Sequence, residues 1–214
     1  MFRLILKDLL LQKKMFLFMF LYIILFMVAF QGSGNFQVTP IIVAVSYMFL
    51  MTSCAWEDKN DSDVLLNSIP IPRWTIVAAK YVSIIAYGTA AALGYWLVKT
   101  IISVAGFPLK VSPIVWEGVL GGLLGIGLVS GLYLPLFFKL GYLRSKSMNF
   151  VIFFGFFALI GFLPKLLPTK PEWIAALESA EYSITPIAFL VAIVVLLQGL
   201  SYLLSLRFYT RREF

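Results

Sequence analysis

Long apolar runs alternate with short polar segments along the whole chain. Six such runs cover about residues 15–32, 38–56, 74–104, 114–138, 148–163 and 185–206. A helix needs about 20 apolar residues to cross roughly 30 Å of hydrocarbon, so the pattern predicts six transmembrane helices. The fifth run is slightly short before Pro164. The third is longer than a bilayer requires and contains Lys80 and Lys99, whose ammonium groups we expect to extend toward the interfaces.

Composition supports a lipid environment for most of the chain. Hydrophobic residues make up 61% and charged residues 13%, against about 25% charged in soluble proteins. The absence of histidine excludes histidine-dependent catalysis and His-ligated metal sites. The single cysteine, Cys54, falls in an apolar run and is expected to be a buried free thiol. The net charge of +7 is distributed in short clusters between the runs, which is typical of membrane topology and does not indicate nucleic acid as a partner.

The basic residues also predict an orientation. With both termini in the cytoplasm, 13 of the 17 lysines and arginines lie inside, and only Lys99, Lys110, Lys165 and Lys170 lie outside. The positive-inside rule therefore favours a multi-pass protein with cytoplasmic N- and C-termini. Residues 1–14 have an imperfect amphipathic pattern, which fits a helix in the inner interface or simply the positive flank of the first span. No clean cleavage site follows, so we expect the first apolar run to be retained as a span.

The fourth run is rich in glycine. Two pairs, Gly121/Gly125 and Gly127/Gly131, have the small-xxx-small spacing that allows membrane helices to approach closely. A phosphate-binding loop is disfavoured because no Lys-Ser/Thr follows these glycines, and the chain contains no other such motif. We therefore expect no nucleotide site, no bound cofactor or metal and no catalysis in this chain. Glu117 is interpreted as an interfacial carboxylate, and the spans are expected to lack buried ion-coupling charges.

A polar segment bounded by Trp56 and Trp74 interrupts the apolar pattern. Four of the ten acidic residues lie between positions 57 and 63, and leucines recur within the segment. We interpret residues 57–73 as a short amphipathic helix on the cytoplasmic side that a soluble partner binds; an ordinary connecting loop is the alternative. On the external side, residues 164–184 are predicted to contain a short helix that begins near Pro171. It either covers an exit path or packs on the bundle.

The segment 57–81 contains a recognisable series of residues: Glu57-Asp58-Lys59-Asn60-Asp61, Leu65-Leu66-Asn67-Ser68-Ile69-Pro70-Ile71-Pro72-Arg73, Ile76-Val77 and Lys80-Tyr81. This series resembles a signature of bacterial ABC type-2 exporter permeases. The likeness is greatest to the permeases of the phenol-soluble-modulin exporter group. It implies an all-α polytopic membrane protein that forms one transmembrane domain over residues 1–214. This domain would consist of six transmembrane helices, an N-terminal interfacial helix and a cytoplasmic coupling helix between helices 2 and 3.

The resemblance also implies partners and site residues. A soluble ABC ATPase would bind ATP and Mg²⁺ and contact this chain. A second permease copy or homologue would complete the pathway. Both permeases would lie in the bacterial plasma membrane. The ATPase contacts would be Glu57, Asp58, Lys59, Asn60, Asp61, Val64, Leu65, Leu66 and Arg73. The cargo would be hydrophobic or amphipathic: a cytolytic or antimicrobial peptide, or else a lipid or a drug. Its translocation pathway would include Phe49, Met51, Phe153, Phe154, Phe156 and Phe157. A membrane scaffold or sensor that recruits a cytosolic protein through residues 57–73 is the alternative function.

Overall fold

A computed structural model describes residues 2–30, 37–60, 62–106, 113–166 and 184–211 of the 214-residue chain. Within these ranges the regular structure is helical, which confirms the all-α prediction. The helices are α1 (Phe2–Leu11), α2 (Met15–Ala29), α3 (Val38–Lys59), α4 (Ser62–Ser68), α5 (Arg73–Ala105), α6 (Trp116–Leu166) and α7 (Ile184–Arg211). The external helix predicted within residues 164–184 falls almost entirely outside the described residues.

Four segments are long and apolar enough to cross a membrane. They are Val38–Lys59, Arg73–Ala105, Trp116–Ser145 and Ala188–Arg211. Helices α1 and α2 meet at an angle of 68° and form a fifth candidate if the bent pair is one span. The described residues thus contain four or five candidate spans, where the sequence pattern predicted six. The predicted span at 148–163 lies in the second half of α6 and is not among them.

Helix α6 is interrupted within the polar segment that separates the predicted spans 114–138 and 148–163. The interruption is confined to Gly141, which has φ 76° and ψ 174°. This region of backbone conformation is essentially restricted to glycine. The backbone on either side of Gly141, including Lys139 and Arg144, is helical, so one glycine separates two helical segments at this point.

The most extensive helix contact in the described residues joins α3 to α6. A Cβ built on Gly122 would lie 2.7 Å from Cβ of Ile42, and one on Gly121 would lie 3.2 Å from Oγ1 of Thr39. Thr39 donates a hydrogen bond from Oγ1 to the carbonyl oxygen of Gly118 at 3.1 Å. Because glycine leaves no side chain between the two backbones, α3 and α6 approach closely along this stripe.

One member of the first predicted packing pair lies at this contact. Gly121 approaches α3 together with Gly118 and Gly122, so the glycines described there are spaced i, i+3 and i+4, positions that share one face of a helix. Gly125 is buried in α6, and its role as a packing residue stays a prediction.

A second glycine stripe on α6 faces α7. The side-chain amide of Gln198 donates to the carbonyl oxygen of Gly127 and lies 3.2 Å from Oγ of Ser130. Ser201 donates from Oγ to the carbonyl oxygen of Gly131 at 2.6 Å. Interhelical hydrogen bonds of this kind hold membrane helices together where the lipid offers no hydrophobic driving force.

Several helix ends meet at one end of the bundle, which we call the base. Lys7 of α1 contacts Glu57 near the end of α3, and the backbone N–H of Tyr142 lies 3.4 Å from Oδ1 of Asp58. Arg73, at the start of α5, donates to the carbonyl oxygen of Thr210 near the end of α7 at 2.8 Å. The base therefore gathers α1, the end of α7 and the polar segment 57–73.

Candidate functional site

A recess at the base is lined by residues from five helices. They are Leu4, Lys7 and Asp8 of α1, Glu57 of α3, Leu66 of α4, Ile76, Ala79 and Lys80 of α5, and Phe138 of α6. Four of these nine side chains carry charge, although the surrounding sequence is strongly apolar. The recess is therefore the place in the described structure where charge is concentrated inside the bundle.

Lys80 is at the centre of this charge cluster. Its side chain is only 4% exposed, and Nζ lies 2.8 Å from Oε2 of Glu57 and 3.5 Å from Oδ2 of Asp8. It also donates a hydrogen bond to Oγ of Ser53 at 2.7 Å. The prediction that Lys80 extends to an interface is wrong, because two carboxylates on neighbouring helices compensate its charge inside the protein. Lys80 and Glu57 are thus charges buried within candidate spans and paired with each other.

Lys7 completes the cluster from the more exposed side. Its Nζ lies 3.3 Å from Oε1 of Glu57 and 3.4 Å from Oδ1 of Asp8, and its side chain is 32% exposed. Two ammonium groups thus face two carboxylates, and the cluster is formally neutral. A buried ion pair stabilises a fold only when the partners stay in good geometry, and loss of one partner leaves an uncompensated charge. The cluster therefore requires α1, α3 and α5 to keep their relative positions.

A layer of uncharged polar groups lies directly behind the cluster. Gln12, which is fully buried, donates from Nε2 to the carbonyl oxygen of Phe49 at 2.9 Å and to the hydroxyl of Tyr87 at 3.2 Å. Ser83 lies 3.5 Å from Oδ2 of Asp8 and donates to the carbonyl oxygen of Ala79 at 2.9 Å. These contacts fix the turn between α1 and α2 against α3 and α5, so that Asp8 faces Lys80.

Reasoning from the sequence missed this cluster. Asp8 was not considered as a site residue, and Glu57 was assigned only to the polar surface segment. A signal was nevertheless present, because Lys80 follows seven residues after Arg73 within an apolar run and a charge in that setting requires a partner. The partner on α1 is 72 positions away, and the sequence pattern does not define such a long-range contact.

Two adjacent leucines of α4 differ in how far they are exposed. Leu65 is 62% exposed, whereas Leu66 is 9% exposed and lines the recess beside the charge cluster. Leu66 thus anchors the helix to the base while Leu65 faces away from it. Asp61 and the side chain of Val64 lie outside the described residues.

The polar residues predicted to contact a partner divide into two groups. Lys59 and Asn60 are exposed at the end of α3, with Nζ of Lys59 5.2 Å from the centroid of the Trp56 ring. Asp58, Arg73 and Glu57 instead engage neighbouring helices, as described above. The structure therefore brings these residues together at the base, but it directs the Glu57 carboxylate into the bundle.

The aromatic residues predicted to line a pathway are placed in different surroundings. Phe49 is 3% exposed, with ring centroids 5.1 Å from Phe16 and 5.7 Å from Tyr87. Met51 is half-buried beside the core. Phe154 is 54% exposed, and its ring centroid lies 4.2 Å from that of Phe150 with the rings tilted by 38°. The side chains of three further candidates lie outside the described residues: Phe153, Phe156 and Phe157.

The remaining candidate chemistry is limited in the described residues. Cys54 is a buried free thiol, as the sequence predicted, and Glu117 is exposed at the end of the bundle opposite the base. No group of three or more Cys, Asp or Glu side chains in the described ranges is arranged to hold a metal ion.

Comparison with known proteins identifies a family. A model of the family described as ABC-2 family transporter protein matches residues 3–210, which is nearly the whole chain. Neither a curated protein nor a solved structure matches this sequence. The family match and the apolar helices together indicate a multi-pass membrane protein. The chain therefore belongs to the ABC-2 family of transporter proteins.

Proposed function

We propose that this protein is the permease subunit of an ATP-driven ABC exporter and carries no catalysis of its own. Membrane proteins of the ABC-2 family pair with an ABC ATPase subunit. The observation that carries the proposal is the geometry of α4, which is anchored by buried Leu66 and exposes Leu65 at the base. An exposed apolar side chain on a short, anchored helix suits docking in a cleft of a soluble partner. In this interpretation α4 is the coupling helix.

The orientation of the proposed exporter follows from charge. Lys7, Lys59, Arg73 and Arg207 lie on helix segments at or near the base, which supports a cytoplasmic base under the positive-inside rule. Both termini would then be cytoplasmic and the membrane would be the bacterial plasma membrane. A six-span topology needs α2 and the second half of α6 to cross as well.

The proposed mechanism is alternating access in an assembly of two permeases and two ATPases. ATP and Mg²⁺ bind only to the ATPases, whose closure moves α4 and rocks the bundle between inward-open and outward-open states. The cargo is hydrophobic or amphipathic, and the resemblance of residues 57–81 to the phenol-soluble-modulin exporter group favours a cytolytic peptide over a lipid or a drug.

The decisive experiment measures ATPase capture and coupling. The purified chain should retain an ABC ATPase from its host, and Leu65→Asp should weaken that retention about tenfold or more, because burial of a leucine contributes about 1.5–3 kcal/mol. Leu65→Met is the matched control, since it keeps an apolar side chain, and should retain the ATPase. Failure of the wild-type chain to bind any ABC ATPase would refute the proposal.

A second measurement separates transport from recruitment. In liposomes that contain permease and ATPase, an amphipathic peptide cargo should stimulate ATP hydrolysis and accumulate on the side opposite the base. A scaffold would bind the ATPase through α4 but would show neither effect.

A further inference from the structure

Helix α1 is attached to the bundle by a small set of contacts. It has ten residues, and helices this short are marginal on their own in water. Leu6, Leu10 and Leu11 are exposed, while Asp8 is 4% exposed and turns into the bundle. The attachment of α1 thus depends on Asp8, together with Lys7 and a few apolar contacts.

The recess connects that attachment to α4. Leu66 lines the same recess as Asp8, Glu57 and Lys80 and covers it from the side of α4. Ion pairs are strong where water is excluded and weaken several-fold when water surrounds them. Removal of the Leu66 side chain from the recess would admit water to the charges and weaken the contact that holds α1.

We propose that Lys7, Asp8, Glu57 and Lys80 form a charge latch that holds α1 on α3 and α5, and that α4 controls this latch through Leu66. Displacement of α4 hydrates the cluster and releases α1 from the base. The latch is a property of this chain alone. Only its trigger, the movement of α4 by a docked ATPase, rests on the proposed function.

The geometry explains why α1 is the element released. Lys80 keeps its shorter contact, 2.8 Å, with Glu57 and its hydrogen bond to Ser53 of α3, while its contact with Asp8 is longer at 3.5 Å. Hydration of the recess would therefore break the contact between Asp8 of α1 and Lys80 of α5 first. The α3–α5 pair would remain.

Hydrogen–deuterium exchange of the full chain in lipid nanodiscs, without any ATPase, tests the latch. Backbone amides report local opening of the helix that contains them. Leu66→Ala should accelerate exchange in α1 by at least about threefold and leave α3 and α5 unchanged. Leu65→Ala, a matched truncation of the exposed neighbour on the same helix, should leave α1 unchanged. If Leu66→Ala yields too little folded protein, Leu66→Val provides the milder truncation.

A second pair of variants tests the ionic part of the latch. Asp8→Asn should accelerate α1 exchange about tenfold, because a contact with a charged group is lost. Glu117→Gln makes the same carboxylate-to-amide change at an exposed position away from the base and should have no effect. Combining Asp8→Asn with Leu66→Ala should give no faster exchange than Asp8→Asn alone, because both act on one contact.

Three outcomes would overturn the proposal. Equal exchange in the Leu66→Ala and Leu65→Ala variants would show that α4 does not control α1. Additive effects of Asp8→Asn and Leu66→Ala would show that they act separately. A rise spread equally over α1, α3 and α5 would show a purely structural cluster. Failure to find an ATPase partner would refute the proposed function but would not alter these results.

Discussion

Replacement of Lys80 by methionine is the most informative perturbation of the base. Methionine keeps a similar length and removes the ammonium group, which contacts Glu57 and Asp8 and donates to Ser53. The side chain of Asp8 is 5% exposed and that of Glu57 is 12% exposed, so water has little access to the two carboxylates. Lys7 alone would then compensate both of them.

The size of the effect follows from this burial. Removing one partner of a buried ion pair costs about 3–5 kcal/mol. In a protein of this length each kcal/mol lowers Tm by about 2–4 °C, so Lys80→Met should lower Tm by about 10 °C. Thermal unfolding in lipid nanodiscs, followed by intrinsic tryptophan fluorescence, provides the measurement.

A variant without the three most buried charges is the matched control. Combining Lys80→Met with Glu57→Gln and Asp8→Asn removes the uncompensated carboxylates and leaves only the ammonium group of Lys7, whose side chain is 32% exposed; replacement of buried ionic groups is often neutral or stabilising. This triple variant should recover most of the lost Tm. The reasoning would be refuted if Lys80→Met lowered Tm by less than about 2 °C, or if the triple variant were no more stable than the single one.

Further predictions concern the helix contacts of α6. Gly122→Ala should destabilise the protein by about 1–3 kcal/mol, because the added Cβ would lie 2.7 Å from Cβ of Ile42. Gly155→Ala is the control in the same thermal assay and should be neutral, because a Cβ at this position would have no atom within 4 Å. Gln198→Leu removes the amide that contacts Ser130 and a backbone carbonyl of α6, and should cost about 0.6 kcal/mol. A loss above about 2 kcal/mol would show that the amide does more than join two membrane helices.

The helices were predictable from sequence where the apolar pattern was continuous. The run at 74–104 corresponds to α5 (Arg73–Ala105) within one residue at each end. The charged residues after the fourth apolar run indicated a break between positions 138 and 148, and the backbone is non-helical at Gly141 within that interval. They did not indicate that the residues around the break are helical, because an exposed segment at the edge of a membrane can still form a helix. Only the backbone at Gly141 shows where the chain turns.

The candidate site was predictable only in part. The acidic and apolar residues of 57–66 indicated a surface segment, and α4 is present there with Leu65 exposed. The pairing of Lys80 with Asp8 was beyond the sequence pattern because it depends on the 68° bend between α1 and α2. Local periodicity determines which face of a helix is apolar, but it does not determine which distant helix brings a counter-charge.

The backbone conformation at Gly141 determines which substitutions this position can tolerate. Its φ of 76° and ψ of 174° exclude the Cβ of every other residue at acceptable energy, so every single-nucleotide missense change in this codon would redirect the chain. Such a change would leave the fold of the residues before Gly141 intact. It would alter the direction of the helical segment after Gly141, which contains Phe150. A mutational scan should therefore find this codon as intolerant as a position in the core, although glycine has no side chain to contribute to packing.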